Sequence, residues 1–182
     1  MGEHKLLLPL AGEPIVRRSV NQLLEAGFQG VTVVLGREPD RVKAALEGLP
    51  CEFALNPDYL SGMESSFRAA IDSFSFSVTA ALFTLADQVF LSSLEYQKLL
   101  EVFTAQGLQA ERPLIVASRF GDVIAPPHVF SSELFPILGL PRGAKPLIQA
   151  NLGRVRFVDH APNLLFDVDT VEDYAQAQKT LP

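Results

Sequence analysis

The chain has 182 residues, of which 48% are hydrophobic and 20% charged, and its formal net charge is −6. This length and composition predict a single domain over residues 1–182 and exclude a disordered chain, and no apolar run is long enough to span a membrane. The negative charge argues against a nucleic-acid partner, and the single Cys51, without a Cys/His cluster of metal-ligand spacing, is typical of a protein of the reducing cytoplasm.

Helix and strand patterns alternate through the first two thirds of the chain. A short extended piece at residues 5–10 and a turn at 11–14 precede a helix with Val16 and Val20 on its apolar face. Further strands are predicted at residues 31–36, 51–55, 80–88 and 114–118, and further helices begin at Pro39, Gly62 and Ser92. This alternation predicts the α/β class, with a doubly wound, mostly parallel sheet and helices on both faces.

The pattern is less regular beyond residue 119. Residues 121–127 are predicted as a loop, 131–138 as a short helical segment, 141–143 as a turn before residues 144–150, and 155–158 as a strand. Thr170 is the expected N-cap of a final helix, because Glu172 and Asp173 follow it in the first turn, where the helix dipole favours acidic residues.

The run at residues 80–88 is apolar at successive positions and ends in the carboxylate of Asp87. Such a run suits a strand buried on both faces, and Asp87 then stands at its carboxyl end, where open α/β sheets bind ligands. The alternative is that Asp87 only caps the following helix.

Asp167 and Asp169 are two further carboxylates at an apparent strand end. Residues two apart in an extended chain point the same way, so these two either face one site or divide the work between a ligand and a cap. Carboxylates from separate strands suit a phosphate-bound Mg²⁺, which takes only one or two of its ligands from carboxylates. The alternative is that all three aspartates cap helices.

Two other features point to phosphate recognition. Lys5 precedes a buried-looking leucine run and is able to offer a point charge to a phosphate, although most lysines near an N-terminus are simply solvated. Gly62, with Ser65 and Ser66 at a helix start, offers backbone N–H groups and hydroxyls to an anion or a ribose. No nucleophile or histidine-based triad is evident.

Four motifs taken together resemble the molybdenum cofactor nucleotidyltransferases, a family in the superfamily of the sugar-phosphate nucleotidyltransferases. Residues 1–14 match the end of the family's glycine-rich opening motif, and Asn56 with the Gly-Met-Glu-Ser-Ser of residues 62–66 resembles its Gly-Met-x-x-Ser segment. The Leu-Ala-Asp-Gln at 85–88 is similar to its metal-binding motif, and residues 166–174 resemble its closing Asp-x-Asp-Thr-x-Glu-Asp.

This resemblance implies a Rossmann-like, three-layer fold of the nucleotide-diphospho-sugar transferase type. It implies that Lys5 and Asp87 are catalytic, that Asp87 and Asp167 bind Mg²⁺, and that the nucleotide is bound by Lys5, Asn56, Gly62, Ser65 and Ser66. The implied reaction joins the nucleoside monophosphate of an NTP to the phosphate of molybdopterin and releases pyrophosphate. CTP is favoured because residues 124–130 resemble the cytidylyl branch, and a molybdoenzyme is a candidate partner.

The chain departs from the family pattern at two places. Residues 139–145 lack an acidic residue that the family often has there, which affects the pterin side, and the chain begins inside the phosphate-binding motif, without the first strand and glycine-rich loop. We therefore expect the natural protein to start upstream, with Met1 as the motif's internal methionine. Two alternative functions remain, a protein that binds and delivers the molybdenum cofactor, and a sugar-phosphate nucleotidyltransferase.

Overall fold

A computed structural model describes residues 4–74, 77–105, 115–140 and 144–181. The strands are β1 (Pro9–Leu10), β2 (Glu13–Pro14), β3 (Thr32–Leu35), β4 (Glu52–Leu55), β5 (Ala80–Phe83), β6 (Ile115–Phe120), β7 (Val123–Ser131) and β8 (Val155–His160). The helices are α1 (Ile15–Glu25), α2 (Pro39–Ala45), α3 (Met63–Asp72), α4 (Ser93–Ala105), α5 (Phe135–Leu138), α6 (Ala144–Ala150) and α7 (Val171–Thr180). The predicted turn at 141–143 and the first residue of the predicted strand at 114–118 lie outside the described residues.

The strands form two main sheets with mixed pairing. β3 and β4 pair in parallel, and a second sheet has the order β5-β7-β6-β8. In that sheet β6 and β8 are parallel, whereas β7 runs antiparallel to both β5 and β6. β1 and β2 form a short antiparallel hairpin. The predicted α/β class is confirmed, with β7 as the antiparallel member of the larger sheet.

The larger sheet is covered by helices on both faces, as the apolar strand sequences predict. On one face, Ile115 and Ala117 of β6 pack in a cluster with residues of α3, α5 and α6. On the other face, Val116 packs with Leu99 and Phe103 of α4. Alternate residues of β6 thus enter two different cores, which is the three-layer arrangement.

The prediction of a loop at residues 121–127 is wrong, because β7 begins at Val123. Gly121, with a φ of 62°, and Asp122 turn the chain so that Phe120 pairs with Val123. Pro126 and Pro127 led to the prediction of a loop, since proline has no backbone N–H to donate to a β-ladder. The register shift between Ala117 and Arg119 leaves both prolines in an irregular stretch that needs no such donor.

The extended piece predicted at residues 5–10 is also only partly correct. Residues Lys5–Leu7 form a 3₁₀ turn, and only Pro9–Leu10 are extended, as β1. Within the described parts of the chain, no helix is long and apolar enough to cross a membrane.

β3 and β5 face each other without pairing, since among the described strands β3 bonds only to β4 and β5 only to β7. Between them lies a cavity of about 750 Å³ that runs along both strands, with α1 on one side and α3 on the other. We call this space the β3/β5 slot. The slot is partly open at the surface, so it is accessible to solvent or to a ligand.

Candidate active site

The candidate site lies where β5 ends and the segment before α7 passes beside it. Asp87 follows β5, and its backbone carbonyl accepts a hydrogen bond from the N–H of Val168 at 3.2 Å. Gln88 and Asp167 form an isolated antiparallel β-bridge. The predicted carboxylates from distant parts of the sequence are thus neighbours, because backbone pairing brings residues 87–88 against 167–168.

Lys5 links two of these carboxylates. Its ammonium donates to Asp87 Oδ2 at 2.6 Å and to Asp169 Oδ1 at 2.6 Å. Burial alone would lower the pKa of Lys5, but the hydrogen bonds and charges of Asp169 and Asp87 outweigh burial, so its pKa is raised. Lys5 is therefore a fixed positive charge, with 31% of its side chain exposed and accessible to an anionic ligand.

Asp169 reaches Lys5 because the start of α7 is held by a capping box. Thr170 accepts a hydrogen bond from the N–H of Asp173 at 3.1 Å, and Asp173 accepts from the N–H of Thr170 at 2.8 Å and of Asp169 at 3.2 Å. The predicted N-cap at Thr170 is confirmed. Tyr174 donates to the carbonyl of Pro9, which fastens α7 beside the N-terminal segment.

Asp169 is a carboxylate for which the sequence left two roles open, a residue that faces the site or a helix cap, and to which the family resemblance gave no role. The signal was available in the Asp-Val-Asp spacing, since residues two apart in an extended chain face the same side. This spacing does not predict that Asp169 pairs with Lys5, because Lys5 lies 164 positions away in the chain.

Asp167 lies in the same negative field, and a hydrogen bond with Gln88 and the charge of Lys5 lower its pKa by less than its surroundings raise it. Its Oδ1 is buried and, among the described residues, has no hydrogen-bond partner. Burial raises the pKa of Asp167, and the charges of Asp87 and Asp169 raise it further. An unpaired carboxylate oxygen that other carboxylates destabilise is a position that a cation would stabilise.

These residues fit a divalent metal held together with a phosphate. Within the described ranges no group of three or more His, Cys, Asp or Glu side chains is arranged to hold a metal ion. Asp87 and Asp167 supply two carboxylates, and Mg²⁺ commonly takes one or two carboxylates and completes its shell with water and substrate phosphate. The donor set therefore suits an ion that arrives with its substrate rather than a permanently bound one.

The other predicted nucleotide-binding residues form a separate cluster at the start of α3. Asn56 is buried, and its amide donates to Ser65 Oγ at 2.8 Å and to Ser66 Oγ at 3.1 Å. Gly62 has a φ of 124°, and a Cβ there would lie 2.6 Å from Glu64 Oε2. These contacts orient the first turn of α3, and nucleotide binding by the cluster stays a prediction.

The two clusters stand at the same edge of the fold, on different strands. Asn56 follows β4 directly, and its N–H donates to the carbonyl of Leu35 at the end of β3, at 2.8 Å. On the N-terminal side, His4 Nε2 lies 3.2 Å from the carbonyl oxygen of Arg37, which also follows β3. Because His4 adjoins Lys5, the carboxyl ends of β3, β4 and β5 meet around the N-terminal segment, where α/β sheets bind ligands.

Solved structures with this fold are numerous. Rv0371c from Mycobacterium tuberculosis H37Rv superposes with a TM-score of 0.83 at 22% identity, over 98% of this chain and 90% of that chain. A second structure of Rv0371c, in complex with manganese, gives 0.80 at 24% identity, over 98% and 93%. A nucleotidyl transferase from Methanothermobacter thermautotroptrophicus gives 0.82 at 20% identity, over 98% and 85%.

A fourth neighbour is a protein of molybdopterin-guanine dinucleotide biosynthesis. Molybdopterin-guanine dinucleotide biosynthesis protein A from Archaeoglobus fulgidus superposes with a TM-score of 0.62 at 16% identity, over 98% of this chain and 91% of that chain. At these identities the likeness establishes the fold. A comparison with curated proteins finds no match.

The family itself is established by sequence. The model of the MobA-like NTP transferase domain matches residues 1–156, which include β1 through β7, Lys5 and Asp87. Asp167 and Asp169 lie beyond the matched region, and the backbone contacts with residues 87–88 bring this segment to the site. The chain therefore belongs to the family of MobA-like NTP transferase domains.

Proposed function

We propose that this nucleotidyltransferase moves CMP from CTP to the terminal phosphate of molybdopterin and releases pyrophosphate, with Mg²⁺ as its metal. The observation that carries the proposal is the cluster in which Lys5 bridges Asp87 and Asp169 beside the unpaired oxygen of Asp167. A fixed ammonium next to carboxylates with spare oxygens suits a metal-bound triphosphate.

Lys5 is proposed to hold the triphosphate. Its raised pKa keeps the ammonium protonated at neutral pH, and it is partly exposed, so it is able to exchange a carboxylate oxygen for a phosphate oxygen. Asp169 would then keep Lys5 oriented while Asp87 turns towards the metal. Asp87 and Asp167 would hold Mg²⁺, which supplies neutralisation of phosphate charge.

The reaction needs little covalent chemistry from the chain. An oxygen of the acceptor phosphate forms a bond to the α-phosphorus, and the bond from that phosphorus to the pyrophosphate oxygen breaks. The acceptor phosphate is already anionic at neutral pH, so no general base is required, and alignment with charge neutralisation accounts for the rate. His128 and His160 are buried, and both contact Ser118, in agreement with this scheme.

Three observations support the finer specificity. The superposition on molybdopterin-guanine dinucleotide biosynthesis protein A supports a pterin acceptor, and the manganese complex of Rv0371c supports a divalent ion. The likeness of residues 124–130 to the cytidylyl branch favours CTP over GTP.

The test is pyrophosphate release from each of the four NTPs with Mg²⁺, with and without molybdopterin. We expect release with CTP and molybdopterin together, and none after chelation of the metal. Faster release with GTP would overturn the base preference, and release with a sugar phosphate in place of molybdopterin would overturn the acceptor. Tight molybdopterin binding without any turnover would instead identify a protein that binds and delivers the cofactor.

A further inference from the structure

The candidate site contains a cation of its own, the ammonium of Lys5, and this cation is paired with a carboxylate that the metal needs. Lys5 Nζ lies 2.6 Å from Asp87 Oδ2 and 2.6 Å from Asp169 Oδ1. The side chain of Asp87 is 17% exposed and that of Asp169 is 66% exposed, so the contact with Asp87 is the better shielded from water and salt. In the protein without ligands, the charge of Asp87 is therefore already balanced.

A divalent ion and the Lys5 ammonium compete for Asp87. Mg²⁺ binds carboxylate oxygens at about 2.0–2.1 Å, so an ion on Asp87 would stand only a few ångströms from an ammonium that contacts the same carboxylate. Their repulsion is twice that of two unit charges at the same separation. Asp167, the second proposed ligand, has an Oδ1 without a hydrogen-bond partner among the described residues. A bare ion thus meets one open carboxylate oxygen and one carboxylate that is already paired.

The Lys5 side chain is able to leave Asp87 while the backbone around it stays in place. The two residues that follow, Leu6 and Leu7, pack against a buried hydrophobic cluster. The N–H of Leu7 donates to the carbonyl of His4 at 2.9 Å, which closes the 3₁₀ turn. The lysine side chain itself is 31% exposed and ends a flexible four-carbon stem. Rotation of the side chain is therefore enough to carry the ammonium from a carboxylate to a neighbouring anion.

We propose that Lys5 is a gate on the metal site: its ammonium weakens the binding of a bare divalent ion at Asp87 until the triphosphate of a nucleotide draws it away. The triphosphate carries several negative charges and competes for the ammonium better than one carboxylate does, while Asp169 keeps Lys5 beside the site. The gate rests on the proposed function, from which it takes the metal and the triphosphate. Its consequence is an order of binding in which the nucleotide arrives before the metal or together with it.

The gate predicts that one substitution has opposite effects on two ligands. Without the charge of Lys5, Asp87 is free for the metal, so a bare ion binds more tightly. A nucleotide without metal loses its cationic contact in the same variant, so it binds more weakly. A substitution that only loosened the local structure would weaken the binding of both ligands. The opposite signs therefore distinguish a gate from a structural role.

The experiment measures the two ligands separately on the full chain. Mn²⁺ alone is titrated and its free fraction is followed by electron paramagnetic resonance, and CTP alone is titrated by calorimetry in the presence of EDTA. The variants are Lys5→Met, which removes the charge and keeps an unbranched side chain, and Lys5→Arg, which keeps the charge. The matched control is Lys98→Met, the same substitution at a lysine of α4 that pairs with Glu95 at 3.5 Å.

We expect Lys5→Met to bind Mn²⁺ about tenfold more tightly than the unmodified chain and to bind CTP about tenfold more weakly. Lys5→Arg should bind Mn²⁺ as weakly as the unmodified chain, within about threefold, because a guanidinium is also able to pair with the two carboxylates. Lys98→Met should change either affinity by less than about twofold, since its charge is exposed and screened.

Unchanged or weaker Mn²⁺ binding by Lys5→Met would overturn the gate, and so would CTP binding that this variant leaves unchanged. An equal tightening of Mn²⁺ binding in Lys98→Met would also overturn it, since net charge alone would then explain the effect. Absence of Mn²⁺ binding to Lys5→Met would overturn the metal site and the gate together.

The gate and the proposed reaction are able to fail separately, because neither titration requires turnover. If pyrophosphate is released but the two affinities do not shift in opposite directions, the reaction stands and the gate fails. If the affinities shift in opposite directions but no pyrophosphate is released, the gate stands and the reaction fails.

Discussion

β5 and β6 have similar apolar sequences but differ in burial. Ile115, Val116 and Ala117 of β6 are each 0% exposed, whereas all four residues of β5 are only partly buried. β6 lies between β7 and β8, while β5 has β7 on one side and the slot on the other. An apolar run thus predicts that a strand forms, and its neighbours decide how deeply it is buried. We call β3, β5 and the residues around the slot the slot half of the molecule, and β6 with its neighbour β8 the packed half. The slot half carries the candidate site.

The largest expected effect tests whether the chemistry belongs to the slot half. Asp87→Asn should lower turnover by about 10²–10³-fold, because it removes a proposed metal ligand and a charge partner of Lys5. The matched control is Asp159→Asn, at the end of β8 in the packed half, where Asp159 pairs with Arg119. We expect this control to keep its turnover. Pyrophosphate release at saturating Mg²⁺ measures both variants, and equal loss would remove the distinction between the halves.

A second prediction concerns His128 of β7, which lies between the halves and lines the slot. Burial lowers its pKa from 6.5 to about 4. Because the unfolded chain takes up this proton first, stability falls as pH drops from about 6.5 to about 4, by about 3 kcal/mol in total. His128→Phe should flatten that part of the stability profile, measured by urea unfolding at pH 7, 6, 5 and 4. If the stability of His128→Phe and that of the unmodified chain fell equally between pH 7 and pH 4, water would reach β7 through the slot.

A third prediction compares the same substitution in the two halves. Val116→Ala, in the closed core, should cost about 2–3 kcal/mol, and Val34→Ala, which lines the slot, should cost less than about 1 kcal/mol. Urea unfolding at neutral pH gives both free energies. Equal costs for the two substitutions would contradict an open slot.

The smallest expected effect is a gain in stability at the site. The folded-state pKa of Asp167 is raised, so its ionised form destabilises the fold once the pH rises above about 3.8. Asp167→Asn should therefore stabilise the chain at pH 7 by up to about 1 kcal/mol in the presence of a chelator, and the gain should vanish below about pH 3.8.

The control for Asp167 is again Asp159→Asn. The hydrogen bond and charge of Arg119 lower the pKa of Asp159, so this substitution should bring no gain at pH 7. Adding Mn²⁺ or Mg²⁺ should stabilise the unmodified chain more than Asp167→Asn, since a ligand bound only by the folded state shifts the unfolding equilibrium. A gain at Asp159 equal to that at Asp167 would show that net charge, rather than the site, is responsible.

Much of the fold and several residues of the candidate site were predictable from the sequence. Apolar runs bounded by turn residues gave β3, β4 and β5, and Thr170 with Asp173 gave the start of α7. The first residues of β7 were predicted as a loop because they include two prolines, although the pairing of β6 and β7 accommodates both prolines in an irregular stretch. The role of Asp169 stayed open between ligand and cap, because that choice depends on which residue lies opposite it in the folded chain.

Sequence alone determined local features of this protein: which segments are apolar, where helices begin, and that carboxylates stand at strand ends. Those features depend on neighbours within a few positions. Only the tertiary structure decided that Lys5 lies between Asp87 and Asp169, 82 and 164 positions away, and that β3 and β5 line the two sides of one slot. The physical reason is that ion pairing and strand pairing join residues remote in the chain, and no local pattern records which of them will meet.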